Sequence, residues 1–367
     1  MVRRYIPKST QELANWYMRY VSPPSLIAGF ILDTLFLAKR VDLFLTNAIL
    51  FSYLLVSAIA IILINLIQTG RMRHKVAITA FPLLPVVAQF AFGGLFSAYL
   101  SLYSRSADVA VSWIFVIAVA ALVFLNERFS HFYARLAVQV PIYFTALFSF
   151  LIFFLPVIFH RIGPLMFFIS GCTSLAIMGG FWWFLGKLAP EVTQQGGKRV
   201  GRAIGIIFVA FNILYFTNAI PPLPLSLKSA GVYHAIERTP TGEYRLLGER
   251  LHWYERYLTY APVYHRSSGE PIYAWSAVFA PSGLATRVLH QWQRYDSGSG
   301  KWITTSTVSF PIIGGRDGGY RGFSQKKSGE AGRWRVNVIT EYGQLIGRIT
   351  FEVVDASTTP VLVESRL

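Results

Sequence analysis

Three groups of residues in this chain are of types that could do chemistry. The first lies within apolar sequence: Asp33, Asn47 and Glu127. An ionisable side chain at membrane depth is costly and is usually paired or functional. Asp33, with Asp42 and Asn47 beyond it and Lys39-Arg40 between, suits a proton or ion relay or a pocket for a polar head group. A salt bridge pinning a tight turn between two helices is the plainer alternative. Glu127 stands four residues before His131, on one face of any helix that continues so far. The pair could exchange protons, or simply form an interfacial ion pair.

The second group is histidine. His234, His252, His265 and His290 form no H-E-x-x-H-like set, so no metal site is expected. His290 shares a strand face with Trp292 and reads as a hydrogen-bonded core histidine. The third group is a basic, aromatic stretch. Tyr320, Arg321, Arg333 and Arg335, with Lys326-Lys327, are candidates for a ligand face. Arg333 and Arg335 point away from the side of Trp334 in an alternating strand. Such a face suits an anionic glycan, a lipid head group or a protein partner, and the alternative is a solvated strand surface. No G-x-S-x-G motif and no paired carboxylates occur. No catalytic residue and no cofactor are therefore assigned, and enzyme status stays open, with a non-enzymatic role leading.

The elements that must position these residues follow from composition. The 367 residues are 53% hydrophobic and only 14% charged, with a mean hydropathy of +0.45. A soluble domain carries about 25% charged residues. This excludes an ordinary soluble enzyme and a disordered chain, and implies a multi-pass membrane protein with a soluble part. One cysteine rules out an intrachain disulfide framework and a thiolate zinc cluster.

The apolar runs crowd into 1–227, and 228–367 has none long enough to cross a bilayer. The boundary falls at Pro221-Pro222-Leu223-Pro224, which cannot continue a helix. About seven crossings of roughly 20 residues each are expected: 21–38, 44–67, 77–103, 109–126, 134–159, 164–188 and 203–220. The first is interrupted by Asp33, and a re-entrant hairpin over 21–67 is its alternative. Met1-Val-Arg-Arg, leading to Gln11 and Glu12, does not read as a cleavable leader. With the N-terminus in the cytoplasm, the basic residues of 1–19, 71–75, 128–135 and 187–202 fall inside. Only Lys39, Arg40, Arg105 and Arg161 fall in short outer loops. Seven crossings then put 228–367 outside, and the absence of cysteine there suits the periplasm beyond a bacterial inner membrane without requiring it. The pairs Gly93-Gly94 with Ser97, and Gly201 with Gly205, suggest close helix contacts.

Past the boundary the period changes to two. Strands are expected at 231–238, 243–247, 271–279, 288–293, 302–310, 333–338 and 345–354, with turns at Asp296–Gly300 and Glu341–Gln344. Short strands with Gly-rich turns suggest an all-β, immunoglobulin-like sandwich, with Trp292 in its core. Residues 252–264 form an aromatic, charged run without a clear period.

Five stretches carry a resemblance: Gly29-Phe30-Ile-Leu-Asp33, Arg40-Val-Asp42, His290-Gln-Trp292, Tyr320-Arg321-Gly-Phe-Ser324 and Gly332-Arg-Trp334-Arg-Val336. On these the chain resembles an uncharacterised bacterial family of multi-pass membrane proteins ending in an H-x-W and G-x-W-x-V module. The resemblance implies architecture and no activity.

The expected partners are membrane lipid and a cell-envelope glycan or protein. Nucleic acid is disfavoured for an outward-facing domain, and oligomeric state is open. The leading expectation is a membrane-anchored recognition protein. A transporter or lipid-handling enzyme with its site around Asp33 is the alternative, though no inverted repeat supports it. A signalling receptor is weaker, because the inner loops are too short for an output domain.

Overall fold

The computed structural model describes residues 9–17, 20, 31, 42–106, 116–122, 135–240, 243–250, 261–267, 269–327, 329–356 and 360–366. The chain divides into two compact units at Ile220/Pro221.

The first unit is helical. A short helix, α1 (Thr10–Trp16), starts at Ser9, whose hydroxyl accepts from the Glu12 amide. Five helices are long and apolar enough to cross a membrane: α2 (Phe44–Gln68), α3 (Lys75–Tyr103), α4 (Leu136–Phe159), α5 (Pro164–Leu188) and α6 (Pro190–Phe216). Of the other two expected crossings, 21–38 lies outside the described residues except for Ile31. Of 109–126, only 116–122 is described, and it is helical. Pro82 gives α3 a one-turn 3-10 segment at Phe81–Leu83 near its start. Pro164 and Pro190 open α5 and α6, where a missing N–H is no loss. The last helix begins well before the apolar stretch expected from 203, so Lys198, Arg199 and Arg202 ride on its polar first half.

In this unit α4 is the central element. Phe144, Phe148, Phe150 and Phe153 on it are buried. The Phe148 ring stacks on Phe211 at 4.8 Å and on Phe208 at 5.8 Å, both from α6. Two buried polar groups are bonded between helices: Asn65 Nδ2 donates to Gln139 Oε1 at 2.9 Å, and the Tyr99 hydroxyl donates to the Ala146 carbonyl at 2.9 Å. Gly94 permits α2 and α3 to meet, since a Cβ there would lie 2.7 Å from the Tyr53 ring. Among the described residues nothing lies within 4 Å of a Cβ placed at Gly201 or Gly205, so the expected close contact there is not made by any of them. The outside is as apolar as the inside, with Phe44 87% and Ile206 70% exposed. Such a surface is stable only in apolar surroundings, as a membrane protein requires.

The second unit is β-rich. Its strands are β1 (Ser226–Tyr233), β2 (Ala235–Arg238), β3 (Tyr244–Glu249), β4 (Val263–Arg266), β5 (Ile272–Phe279), β6 (Ala285–Asp296), β7 (Lys301–Ile313), β8 (Tyr320–Lys326), β9 (Gly332–Thr340), β10 (Leu345–Asp355) and β11 (Leu362–Arg366). They pair into three sheets, in the orders β1-β5-β8, β4-β10-β9-β6-β7 and β11-β3-β2. All described pairings are antiparallel except β4 with β10. The hairpin β6–β7 closes where Asp296 accepts from the amides of Gly298 and Ser299.

The sheets lie in three layers. Ile272 and Ala274 of β5 pack with Trp292, Trp334, Val336 and Phe351 of the five-stranded sheet. From the opposite face of the same strand, Trp275 and Ala277 pack with Ile236 and Leu246 of the third sheet. Almost every side chain of β5 is therefore buried, which is why it reads as a continuous apolar run. A third sheet is thus added to the pair expected of a sandwich. The middle layer, β1-β5-β8, has protein on both sides.

Candidate functional site

The residues singled out by sequence are dispersed. Asp33 and Glu127 lie outside the described residues. Asn47 is buried near the start of α2, where its Nδ2 donates to the Leu43 carbonyl at 3.1 Å. Tyr320 and Arg321 belong to β8 in the middle sheet, paired with Val278 and Ala277, and the Arg316 guanidinium lies 5.6 Å over the Tyr320 ring. Arg333 and Arg335 belong to β9 in the five-stranded sheet. The four do not form one cluster, because β8 and β9 are in different layers.

What gathers around Arg335 is a polar ladder on the outer face of the five-stranded sheet. Trp334, Val336 and Val338 point into the core, so Arg333, Arg335 and Asn337 point out. Register places Gln293 opposite Arg335, Gln291 opposite Asn337, and Arg348 opposite Asn337 on the other side. Gln293 Oε1 accepts from Arg335 Nε at 2.6 Å and from Asn337 Nδ2 at 3.1 Å. Asn337 Nδ2 also donates to Gln291 Oε1 at 3.0 Å, and its Oδ1 accepts from Arg348 Nε at 2.7 Å. Gln293 Nε2 donates to Thr304 Oγ1 at 2.9 Å. One network thus runs across β10, β9, β6 and β7. At its edge Arg335 lies 4.4 Å over the Trp302 ring, and Tyr295 meets Trp302 at 5.3 Å. Beside these rings is a hollow lined by Arg294, Tyr295, Asp296, Gly332, Arg333 and Glu352.

Beneath this face the H-x-W pair is a tie between two sheets. His290 and Trp292 have no exposed surface. His290 Nε2 meets Ser276 Oγ at 2.8 Å on β5, and its Nδ1 meets Ser324 Oγ at 2.9 Å on β8. Trp292 Nε1 donates to the same Ser324 Oγ at 2.9 Å. Burial pushes the His290 pKa down to about 4. The ring is therefore neutral near pH 7, one nitrogen donating and the other accepting. It is structural and remote from solvent. In the stretch Tyr320–Ser324, Gly322 lets Phe310 of β7 close over the site, since a Cβ there would fall 2.3 Å from that ring. Phe310 then meets His290 edge-on at 4.9 Å.

A second set was invisible to sequence spacing. His234, between β1 and β2, is nearly sealed and stacks on Tyr264 at 4.3 Å. Its Nδ1 meets Glu270 Oε1 at 2.7 Å and its Nε2 meets Glu249 Oε1 at 3.2 Å. Glu249 Oε2 meets His265 Nδ1 at 2.8 Å, and its Oε1 accepts from the His265 amide at 2.6 Å. These groups bond to one another in a chain. Among the described residues no three His, Cys, Asp or Glu are arranged to hold a metal ion.

Burial alone would lower the His234 pKa, but the hydrogen bonds its ring donates to Glu249 and Glu270 overcome it and hold the imidazolium above its ordinary range. Burial alone would raise Glu249, and the bonds from His234 and His265 bring it below the carboxylate range. The His234 contribution to stability is full below its ordinary value of 6.5 and is lost as pH climbs through the raised folded value. The Glu249 contribution is full above 4.5 and is lost as pH falls through the lowered one. Glu249→Gln should therefore destabilise the β unit by about 1–2 kcal/mol, as loss of charged hydrogen bonds does. The deficit should be largest between pH 4.5 and 6.5 and shrink on either side. Chemical denaturation of parent and variant over pH 4–8 reads this difference; a pH-independent deficit would sink the charged chain.

Fold and site together define a class: apolar helices long enough to cross a membrane, followed by a layered β unit with a polar outer sheet. Within it, residues 285–353 match the family described as "Protein of unknown function (DUF2914)". That span runs from β6 into β10. No curated protein matches the chain. Among solved structures, the chain is similar to Pseudomonas fluorescens alkylpurine DNA glycosylase AlkC bound to DNA containing an abasic site analog, at 14% identity. The match covers 94% of this chain and 87% of that one, with a TM-score of 0.22, a score too low to carry any argument about fold or function.

Proposed function

We propose that the protein is an inner-membrane protein that presents its β unit to the periplasm to recognise a cell-envelope ligand. In this reading the N-terminus is cytoplasmic, seven helices cross the membrane, and the five-stranded sheet and the middle sheet form an immunoglobulin-like sandwich. The helices anchor the unit or carry its signal. The observation that carries the reading is the polar ladder on the outer face of the five-stranded sheet. Its side chains are held in place by one another, so little entropy is lost when a ligand is bound. The basic bias of 1–19, 71–75, 128–135 and 187–202 supports the orientation. Trp183, 61% exposed with Lys187 Nζ 3.8 Å over its ring, fits an interfacial anchor at the end of α5. The transporter reading centres on Asp33, outside the described residues, and gains no support here.

The test uses the full chain in detergent, offered fractionated envelope lipids, glycans and proteins. Binding of one fraction, weakened when Arg348→Gln cuts the ladder, is expected. Absence of binding to all three fractions would remove the recognition role. A reporter fused after Leu367 checks the topology separately, and activity in the cytoplasm would overturn it.

A further inference from the structure

We infer that the hollow at the Trp302 end of the outer sheet face is a binding site for an acidic polysaccharide, one bearing carboxylates on its sugar rings. This rests on the recognition reading above and names its ligand.

The argument begins with charge. Arg333, Arg335 and Arg348 stand on adjoining rows of the outer face; the acids at the hollow are Glu352, opposite Arg333, and Asp296, whose carboxylate accepts from the Gly298 and Ser299 amides. Arg333 is exposed, and among the described residues it forms no ion pair. The neighbouring Arg294 is different, being bonded to Glu330. Arg333 thus offers a planar fork suited to a carboxylate, at the rim of the hollow. The second element is aromatic. Tyr295 and Trp302 are directly opposite each other across the β6–β7 pair, half-buried and inclined at 62°. Such rings offer the apolar faces against which the C–H faces of sugars pack. Trp302 is further fixed by the Arg335 guanidinium above it.

The third element is the ladder. The half-buried Gln291 and Gln293 carry amide groups, each both donor and acceptor, in a row beside the rings, held by the buried Asn337. Hydroxyls have the same dual character, so such a row matches a chain of them. An arginine cluster also reads acidic peptides, so it is the rings and the amide row, not the charge, that favour a sugar, and a peptide added as a strand is excluded by pairing. The strands carrying this row, β6 and β9, are paired on both sides. Charge, flat aromatic surface and paired amides meet in one place, and a sugar acid polymer satisfies all three.

The experiment measures binding of the full-length protein in detergent to four probes: oligogalacturonate, neutral dextran oligomers, oligoglutamate, and vesicles containing phosphatidylglycerol. Oligogalacturonate is expected to bind at least about 10-fold tighter than the other three, and to weaken as salt is raised. Arg333→Gln should reduce that binding about 10-fold, a loss typical of one charge-assisted contact. Lys327→Gln, just beyond the end of β8 of the middle sheet, should leave it unchanged. Trp302→Ala should remove it, and because that side chain is half-buried, retained folding is checked by proteolysis. Arg333→Gln, at an exposed side chain, decides the matter if Trp302→Ala does not fold.

Dextran binding as tightly as oligogalacturonate, tighter binding of oligoglutamate or vesicles, or full binding by Arg333→Gln would each overturn the inference. If envelope fractions bind while oligogalacturonate does not, the sugar assignment falls and the recognition reading stands. If neither binds, both fall.

Discussion

Trp292→Ala should unfold the β unit or bring it close to unfolding. The indole has no exposed surface and lies edge-on between Trp334 at 6.5 Å and Phe351 at 6.3 Å. Truncating a buried Trp costs about 3–5 kcal/mol, because the cavity left behind collapses only partly. Here the loss is compounded, since the N–H bonded to Ser324 goes too. A domain has only about 5–15 kcal/mol to lose. Resistance of the β unit to proteolysis, followed against urea in the detergent-solubilised chain, reads the effect. Trp292→Phe should recover much of it. Equal resistance in parent and Trp292→Ala would mean that the two sheets are not held together at this point.

Ser324→Ala should have the next largest effect. One hydroxyl serves two buried groups, His290 Nδ1 and Trp292 Nε1. Removing it strands both, and each unsatisfied buried polar group costs about 1–3 kcal/mol. Ser276→Ala strands only His290 Nε2 and should cost roughly half as much. The same urea series ranks the two variants, and a reversed order would contradict the shared role of Ser324. Burial holds His290 neutral, with a pKa of about 4. An unfolded chain binds a proton at His290 near pH 6.5 and the folded one does not, so this residue erodes stability as pH falls from 6.5 towards 4.

The features readable in the sequence were those with local signals. The hairpins β6–β7 and β9–β10 announce themselves by alternation and by polar turns, at Asp296 and at Tyr342-Gly343. His290 and Trp292, two apart, could be assigned to one buried face. β8 was hidden because its inward residues are Gly322 and Ser324, small and polar, so that Tyr320-Arg321 dominated and read as surface. β4 is only four residues long, and its partner β10 lies far along the chain. β11 escaped because it is an edge strand with mostly exposed, charged residues.

The site divides in the same way. Arg333 and Arg335 stand out by charge and alternation. Gln291, Gln293 and Thr304 gain meaning only from cross-strand register, which a Trp292/Gln293 irregularity shifts. The linkage of His234 to His265 through Glu249 depends on three segments meeting, which no spacing rule encodes.

The middle layer bears on how the chain could be dissected. The matched span 285–353 contains β6, β7, β8, β9 and most of β10, but neither β1 nor β5. A piece cut to those limits would leave behind Ile272, Ala274 and Ser276, and with them one wall around His290 and Trp292. The limits of a recurring sequence and the limits of an autonomous folding unit therefore differ here. The shortest segment able to close its own interior starts upstream, at β1.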